Sequence, residues 1–78
     1  MDHEKLVADF YAGVAKTLDQ PVAAESRLVE DLKLTSSGYY MILAEMEELG
    51  AEDVTYSMLN KCKTMADAAV LLVDNLDE

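Results

Sequence analysis

Chemistry in a chain of 78 residues would have to come from a handful of hydroxyl, thiol and carboxylate groups. Three hydroxyls stand in a row at Thr35-Ser36-Ser37, directly ahead of an amphipathic run. A serine at a helix start can cap the helix through its oxygen. It can also carry an attached anion, because the first helical turn offers unpaired N–H donors and the positive end of the macrodipole. The single thiol, Cys62, lies between Lys61 and Lys63, two cations that would favour the thiolate. The stronger expectation for it is structural, as a small apolar residue closing the core just before the last helix. His3, the only histidine, stands at the fraying start of the first helix, and with a single cysteine it gives no credible Cys/His dyad, metal cluster or serine triad. Glu47 and Glu48 adjoin on a solvated helix face, and among sixteen acids they read as surface charge rather than an acid/base pair. The chain is not expected to be an enzyme.

Four helices must position these groups. Leu6, Val7, Phe10, Val14 and Leu18 fall on one stripe at 100° per residue, predicting a first helix from about Glu4 to Leu18, with Asp9, Lys16 and Asp19 in solvent. Gln20-Pro21 ends it, because proline lacks the donor and restricts the residue before it. The connection from about Asp19 to Thr35 is long and carries Leu28, Val29, Leu32 and Leu34, which could pin it to the core. A short helix over Ser26 to Lys33 is the other reading of that segment. The second helix is expected from near Ser36 to near Leu49, with Gly50 as its stop. Its core face is Tyr39, Ile42, Leu43, Met46 and Leu49, which leaves Tyr40, Met41 and Ala44 outside, so Tyr40 and Met41 are contact candidates.

After a connector at Ala51 to Asp53, Val54 is an isolated apolar plug, and Thr55 to Leu59 can form a short third helix with Thr55 as cap. The last helix begins at Thr64, whose hydroxyl and Asp67 three residues on make a carboxylate form of the capping box. Met65, Ala68, Ala69, Leu72, Val73 and Leu76 are its buried stripe. The expected architecture over 1–78 is therefore one all-α domain, a four-helix bundle with three longer helices and one short third helix.

Composition narrows the partners. Six basic residues face sixteen acidic ones, a net charge of −10, and the bases are scattered apart from Lys61 and Lys63. Nucleic acid, which needs clustered Lys and Arg, is not expected. A basic protein surface is the natural complement, although acids also serve simply to keep a small domain soluble. One cysteine allows no internal disulfide. The opening Met1-Asp2-His3-Glu4-Lys5 lacks the apolar run of a signal peptide, and no segment approaches the roughly 20 apolar residues of a membrane span. A cytoplasmic monomer without membrane insertion is the expectation.

The stretch Glu30-Asp31-Leu32-Lys33-Leu34-Thr35-Ser36-Ser37-Gly38-Tyr39-Tyr40-Met41, with the helix ending Glu45-Met46-Glu47-Glu48-Leu49, resembles the acyl carrier protein family. That family has an acid then Leu, a short loop, and Asp-Ser-Leu with the modified serine at the start of the second helix. Here Glu30-Asp31-Leu32 matches the lead-in and Ser36 falls at the serine. Val54 and Lys61-Cys62-Lys63-Thr64-Met65 keep the spacing, so the resemblance spans nearly the whole chain. Thr35 replaces the usual acid and Ser37 the usual apolar residue, while Gly38 and Met41 stand where fatty-acid carriers often have acids.

The resemblance implies a bundle of the acyl-carrier type and a 4'-phosphopantetheine arm, moved from coenzyme A to Ser36 by a phosphopantetheinyl transferase. Ser37 is the rival hydroxyl. The arm's thiol would carry acyl groups as thioesters to acyl-loading, condensing or acyl-transfer enzymes with basic docking surfaces, in a fatty-acid, polyketide or specialised lipid pathway. Tyr40, Met41, Glu47 and Glu48 are the docking candidates, and Tyr39 would line or obstruct an acyl cavity. The less acidic second helix keeps a peptidyl or aminoacyl carrier open as an alternative. A module with the carrier fold but no prosthetic group is the alternative of a different class.

Overall fold

A computed structural model describes residues 3–76 and contains α1 (His3–Leu18), α2 (Ser36–Glu48), α3 (Tyr56–Asn60) and α4 (Met65–Asp74). Met1 and Asp2 of the charged N-terminal stretch, and the last two residues of the span 1–78, lie outside the described residues. No strand occurs among the described residues, and none of the helices is long and apolar enough to cross a membrane. Helix α1 packs against α2 and α4, and α3 bridges α2 to α4, so the four helices enclose one core. Phe10, Leu28, Ile42, Met46, Leu59, Met65 and Leu72 are its largest fully buried side chains. Each helix and the long connection contribute at least one, which ties the connection into the fold.

The ends of α2 and α4 follow from local chemistry. At the end of α2, Gly50 takes φ 108°, the left-handed conformation that glycine enters without a Cβ penalty. Its N–H donates to Glu47 O, and that of Ala51 donates to Met46 O at 2.9 Å, which together make a Schellman motif. Buried Ala51 and Met46 supply the accompanying apolar contact. At the start of α4, the Thr64 hydroxyl accepts from Asp67 N while the Asp67 carboxylate accepts from Thr64 N, each at 3.3 Å, completing the capping box.

The segment between α1 and α2 is ordered by backbone pairing with the start of α4, and it is not a helix over Ser26 to Lys33. Arg27 and Thr64 form an isolated antiparallel bridge, with Leu28 N donating to Lys63 O at 2.9 Å. Met65 N and Ala66 N donate to Ser26 O and Ala24 O, so the connection occupies first-turn donors of α4. One turn follows, in which Asp31 N and Leu32 N both donate to Arg27 O, before Lys33 at φ 54° reverses the chain. Leu28 and Leu32 are buried and Leu34 is half-buried, as expected of pinning residues. Val29 departs from that expectation. It is 62% exposed, because the bridge turns Leu28 inward and its neighbour outward.

Candidate functional site

The three threonine-initiated helices differ at their starts. In α3 the Thr55 hydroxyl accepts from Met58 N at 3.3 Å, and the first turn of α4 is filled by Thr64, Ser26 and Ala24. Thr35 caps α2 by position but makes no side-chain cap hydrogen bond. The first bond of α2 runs from Tyr39 N to Thr35 O at 3.1 Å, and the N–H groups of Ser36, Ser37 and Gly38 meet no acceptor among the described residues. The first turn also contains no acid, whereas Glu45, Glu47 and Glu48 crowd the last. This is the reverse of what a helix dipole prefers. The N-terminal end of α2 therefore keeps an uncompensated positive potential, with Ser36 and Ser37 both exposed on it.

Leu34 holds this end in place. Its N–H donates to Leu28 O at 3.0 Å, and its side chain covers Gly38 so closely that a Cβ there would lie 2.8 Å from Leu34 Cδ2. A side chain at position 38 would therefore require the Leu34 methyl to move.

The exposed face of α2 carries the expected contact residues. Tyr40 is 60% and Met41 45% exposed, and Glu47 and Glu48 point to solvent. Tyr40 is nonetheless covered on one side: its ring lies 5.2 Å from that of Tyr56 on α3, which also meets the buried Tyr39 ring edge-on at 5.5 Å. Tyr56 is therefore the residue through which α3 fixes the aromatic face of α2. Its sequence position, one residue past a cap on a five-residue helix, gave no sign of this.

Beside the first turn of α2 opens a groove of about 470 Å³. Arg27, Val29 and Glu30 form one wall, and Tyr39 the side toward α2. The opposite wall comes from Asn60, Cys62 and Lys63 in the turn between α3 and α4. Tyr39, at the edge of core and groove, lines this space rather than sealing it; burial raises the pKa of its phenol, with Tyr56 and Cys62 adding to the rise. Cys62 is half-buried with its sulfur 3.9 Å from Met58 O. Burial first, and Asp67 second, push its thiol pKa above the ordinary value, so the flanking lysines do not make it a thiolate. Among the described residues no group of His, Cys, Asp or Glu could hold a metal ion.

Ser36, Ser37, Tyr40 and Met41 thus occupy one end and one face of α2, while Glu47 and Glu48 lie at its other end, about three turns away. Comparison with family models, curated proteins and solved structures gave no match to this chain.

Proposed function

We propose that this chain is an acyl carrier protein, holding acyl intermediates as thioesters on 4'-phosphopantetheine attached to Ser36. The observation that carries the reading is the open start of α2. Three N–H donors without acceptors, no acid in the first turn and an exposed serine at its first position make a seat for a phosphodiester. The other two threonine-started helices have their first turns at least partly filled by side-chain caps. The whole-chain resemblance to the carrier family supports the same position.

On this reading the chain performs no bond chemistry itself. A transferase places the arm, and acyl-loading, condensing or acyl-transfer enzymes visit the thioester. Their basic surfaces complement the net charge of −10 and the Glu47-Glu48 end of α2, while Tyr40 and Met41 offer apolar contact. Coenzyme A donates the arm, so the work of the chain belongs in the cytoplasm.

Intact-mass measurement after incubation with a broad-specificity phosphopantetheinyl transferase and coenzyme A tests the reading. A gain of one phosphopantetheine, lost in Ser36→Ala and kept in Ser37→Ala, is expected. A gain that follows Ser37 instead moves the site by one residue. No gain with several transferases overturns the carrier reading in favour of an interaction module.

A further inference from the structure

We infer that the seam between α1 and α4 is a second docking surface, which takes a basic amphipathic helix of a partner protein with its apolar stripe along Val7 and Val70. The inference goes beyond the carrier reading and does not depend on Ser36.

It begins with the composition of α4. Eight of its ten residues are apolar, Asp67 and Asp74 being the exceptions. A helix that is apolar all round belongs inside a core. This one lies at the surface. Met65, Ala68, Ala69 and Leu72 are buried, but Ala66 is exposed, Val70 is 60% exposed and Val73 is half-buried. Positions 66, 70 and 73 follow one another at helical spacing and form a stripe that the bundle leaves uncovered.

Helix α1 continues that surface. A groove of about 310 Å³ runs between the two helices, walled by Val7 from α1 and by Ala69, Val70 and Val73 from α4. Val7 also borders a more open hollow of about 410 Å³ along α1, where Ala8 and Tyr11 complete the apolar lining. From Glu4 to Tyr11 is about 10 Å along the helix axis, so the strip matches about two turns of an added helix.

The rim fixes the sign of the partner. Glu4 and Asp74 border the strip at one end. At the other end Glu25 lies close enough to Tyr11 to add to the effect of burial in raising the pKa of its phenol. None of these three carboxylates is in an ion pair among the described residues. His3, in the lining, and Lys5, beside Glu4, already interact within the chain, and the three acids outweigh the pair in charge. An apolar strip with carboxylates at both ends is complementary to a helix whose apolar stripe is flanked by Lys or Arg. A second copy of this chain would instead set acid against acid, at −10 each. The same charge opposes an anionic lipid surface.

Position keeps this surface apart from the aromatic one. Helix α1 packs on α2 and α4, and α3 on the same two, so the helices follow one another round the core. The α1–α4 seam is therefore across the bundle from the Tyr40 and Tyr56 rings at the α2–α3 seam. A helix on one leaves the other open.

The test titrates the isotope-labelled chain with a synthetic helical peptide that has Leu in an i, i+3, i+4, i+7 stripe and Lys on both flanks. NMR shifts should centre on Val7, Ala8, Tyr11, Val70 and Val73 and leave Tyr40 and Tyr56 in place. A scrambled peptide of the same composition should bind at least about tenfold more weakly. Val70→Gln, at an exposed position outside the core, should weaken the helical peptide about tenfold, as expected for one valine lost from an interface. Glu4→Gln with Asp74→Asn should reduce the salt dependence of binding. Equal binding of the scrambled peptide, or shifts centred on Tyr40 and Met41, would mean that an acidic chain takes basic peptides without this seam, and would overturn the inference. Loading of Ser36 enters none of these readings, so the carrier reading and this one fail separately. Sedimentation of the chain alone should show a monomer. A dimer that Val70→Gln dissociates would give the seam to a second copy, and flotation with phosphatidylglycerol vesicles that Val70→Gln abolishes would give it to a membrane; either result overturns the inference.

Discussion

The carboxylate of Glu45 on α2 occupies the space that a side chain at Gly13 on α1 would fill: a Cβ there would lie 2.6 Å from Glu45 Oε2 and 2.8 Å from its Cδ. The missing side chain lets α1 and α2 approach, and Glu45 is half-buried as a result. Two effects oppose each other in Gly13→Ala. Alanine in a helix interior is favoured by about 0.5–1 kcal/mol, but the Glu45 side chain must leave its rotamer, at about 0.5–1.5 kcal/mol. The single substitution is therefore expected to be nearly neutral or mildly destabilising. In a Glu45→Ala background the opposition disappears and Gly13→Ala should stabilise by about 0.5–1 kcal/mol. Chemical denaturation of the four proteins in this cycle measures the coupling, and additive effects would show that the close approach costs nothing.

Asp67 links the start of α4 to acid stability. The N–H groups of Lys63 and Thr64 hold its carboxyl below the ordinary carboxylate range. A folded-state value below the unfolded one means that the ionised group favours the fold above the unfolded pKa, and that this contribution is lost as pH falls through the folded value. Asp31 is lowered in the same direction, first by the N–H of Arg27. Thermal midpoints between neutral pH and the acid side of the ordinary carboxylate range should fall more for the unaltered protein than for Asp67→Asn. Parallel curves would remove Asp67 from the acid transition.

Local signals in the sequence reached the helices and their caps because those are decided by residues a few positions apart. Thr64 and Asp67 are three residues apart, and Gly50 directly follows the last turn that it stops. The path of the long connection is decided otherwise, by Leu28 N reaching Lys63 O far along the chain. That contact turns Leu28 in and Val29 out, and no period within the connection encodes it. The same contact joins Arg27 to Lys63 in one groove, although the bases look scattered in sequence. Ser36 was legible as an exposed helix start. The emptiness of that start was not, since it depends on Thr35 failing to do what Thr55 and Thr64 do.

The environment of Cys62 predicts slow alkylation. Two neighbouring lysines would speed it by favouring the thiolate, whereas burial and Asp67 act the other way and raise the thiol pKa. Iodoacetamide labelling of the folded chain should therefore reach its half-maximal rate at a higher pH than labelling of the same chain in denaturant. Lys61→Ala should change the folded rate little. A folded rate that is faster than the denatured one near neutral pH would mean that the lysines dominate.

Tyr40 and Met41 share the exposed face of α2 but differ in what removing them costs the fold. Met41 has no ring partner and is 45% exposed, so Met41→Ser should change stability by less than about 0.5 kcal/mol. Tyr40 rests its ring 5.2 Å from Tyr56, and an aromatic pair contributes about 0.5–1.5 kcal/mol beyond buried area, so Tyr40→Ser should cost about that much. Tyr40→Phe keeps the ring and should restore it. If both residues also meet partner enzymes, each serine variant should slow acyl transfer, and Tyr40→Phe should recover stability ahead of transfer wherever the hydroxyl is used. The decisive comparison is Met41→Ser, whose fold is unperturbed: normal transfer by that variant would take Met41 out of the docking face, whatever Tyr40 does.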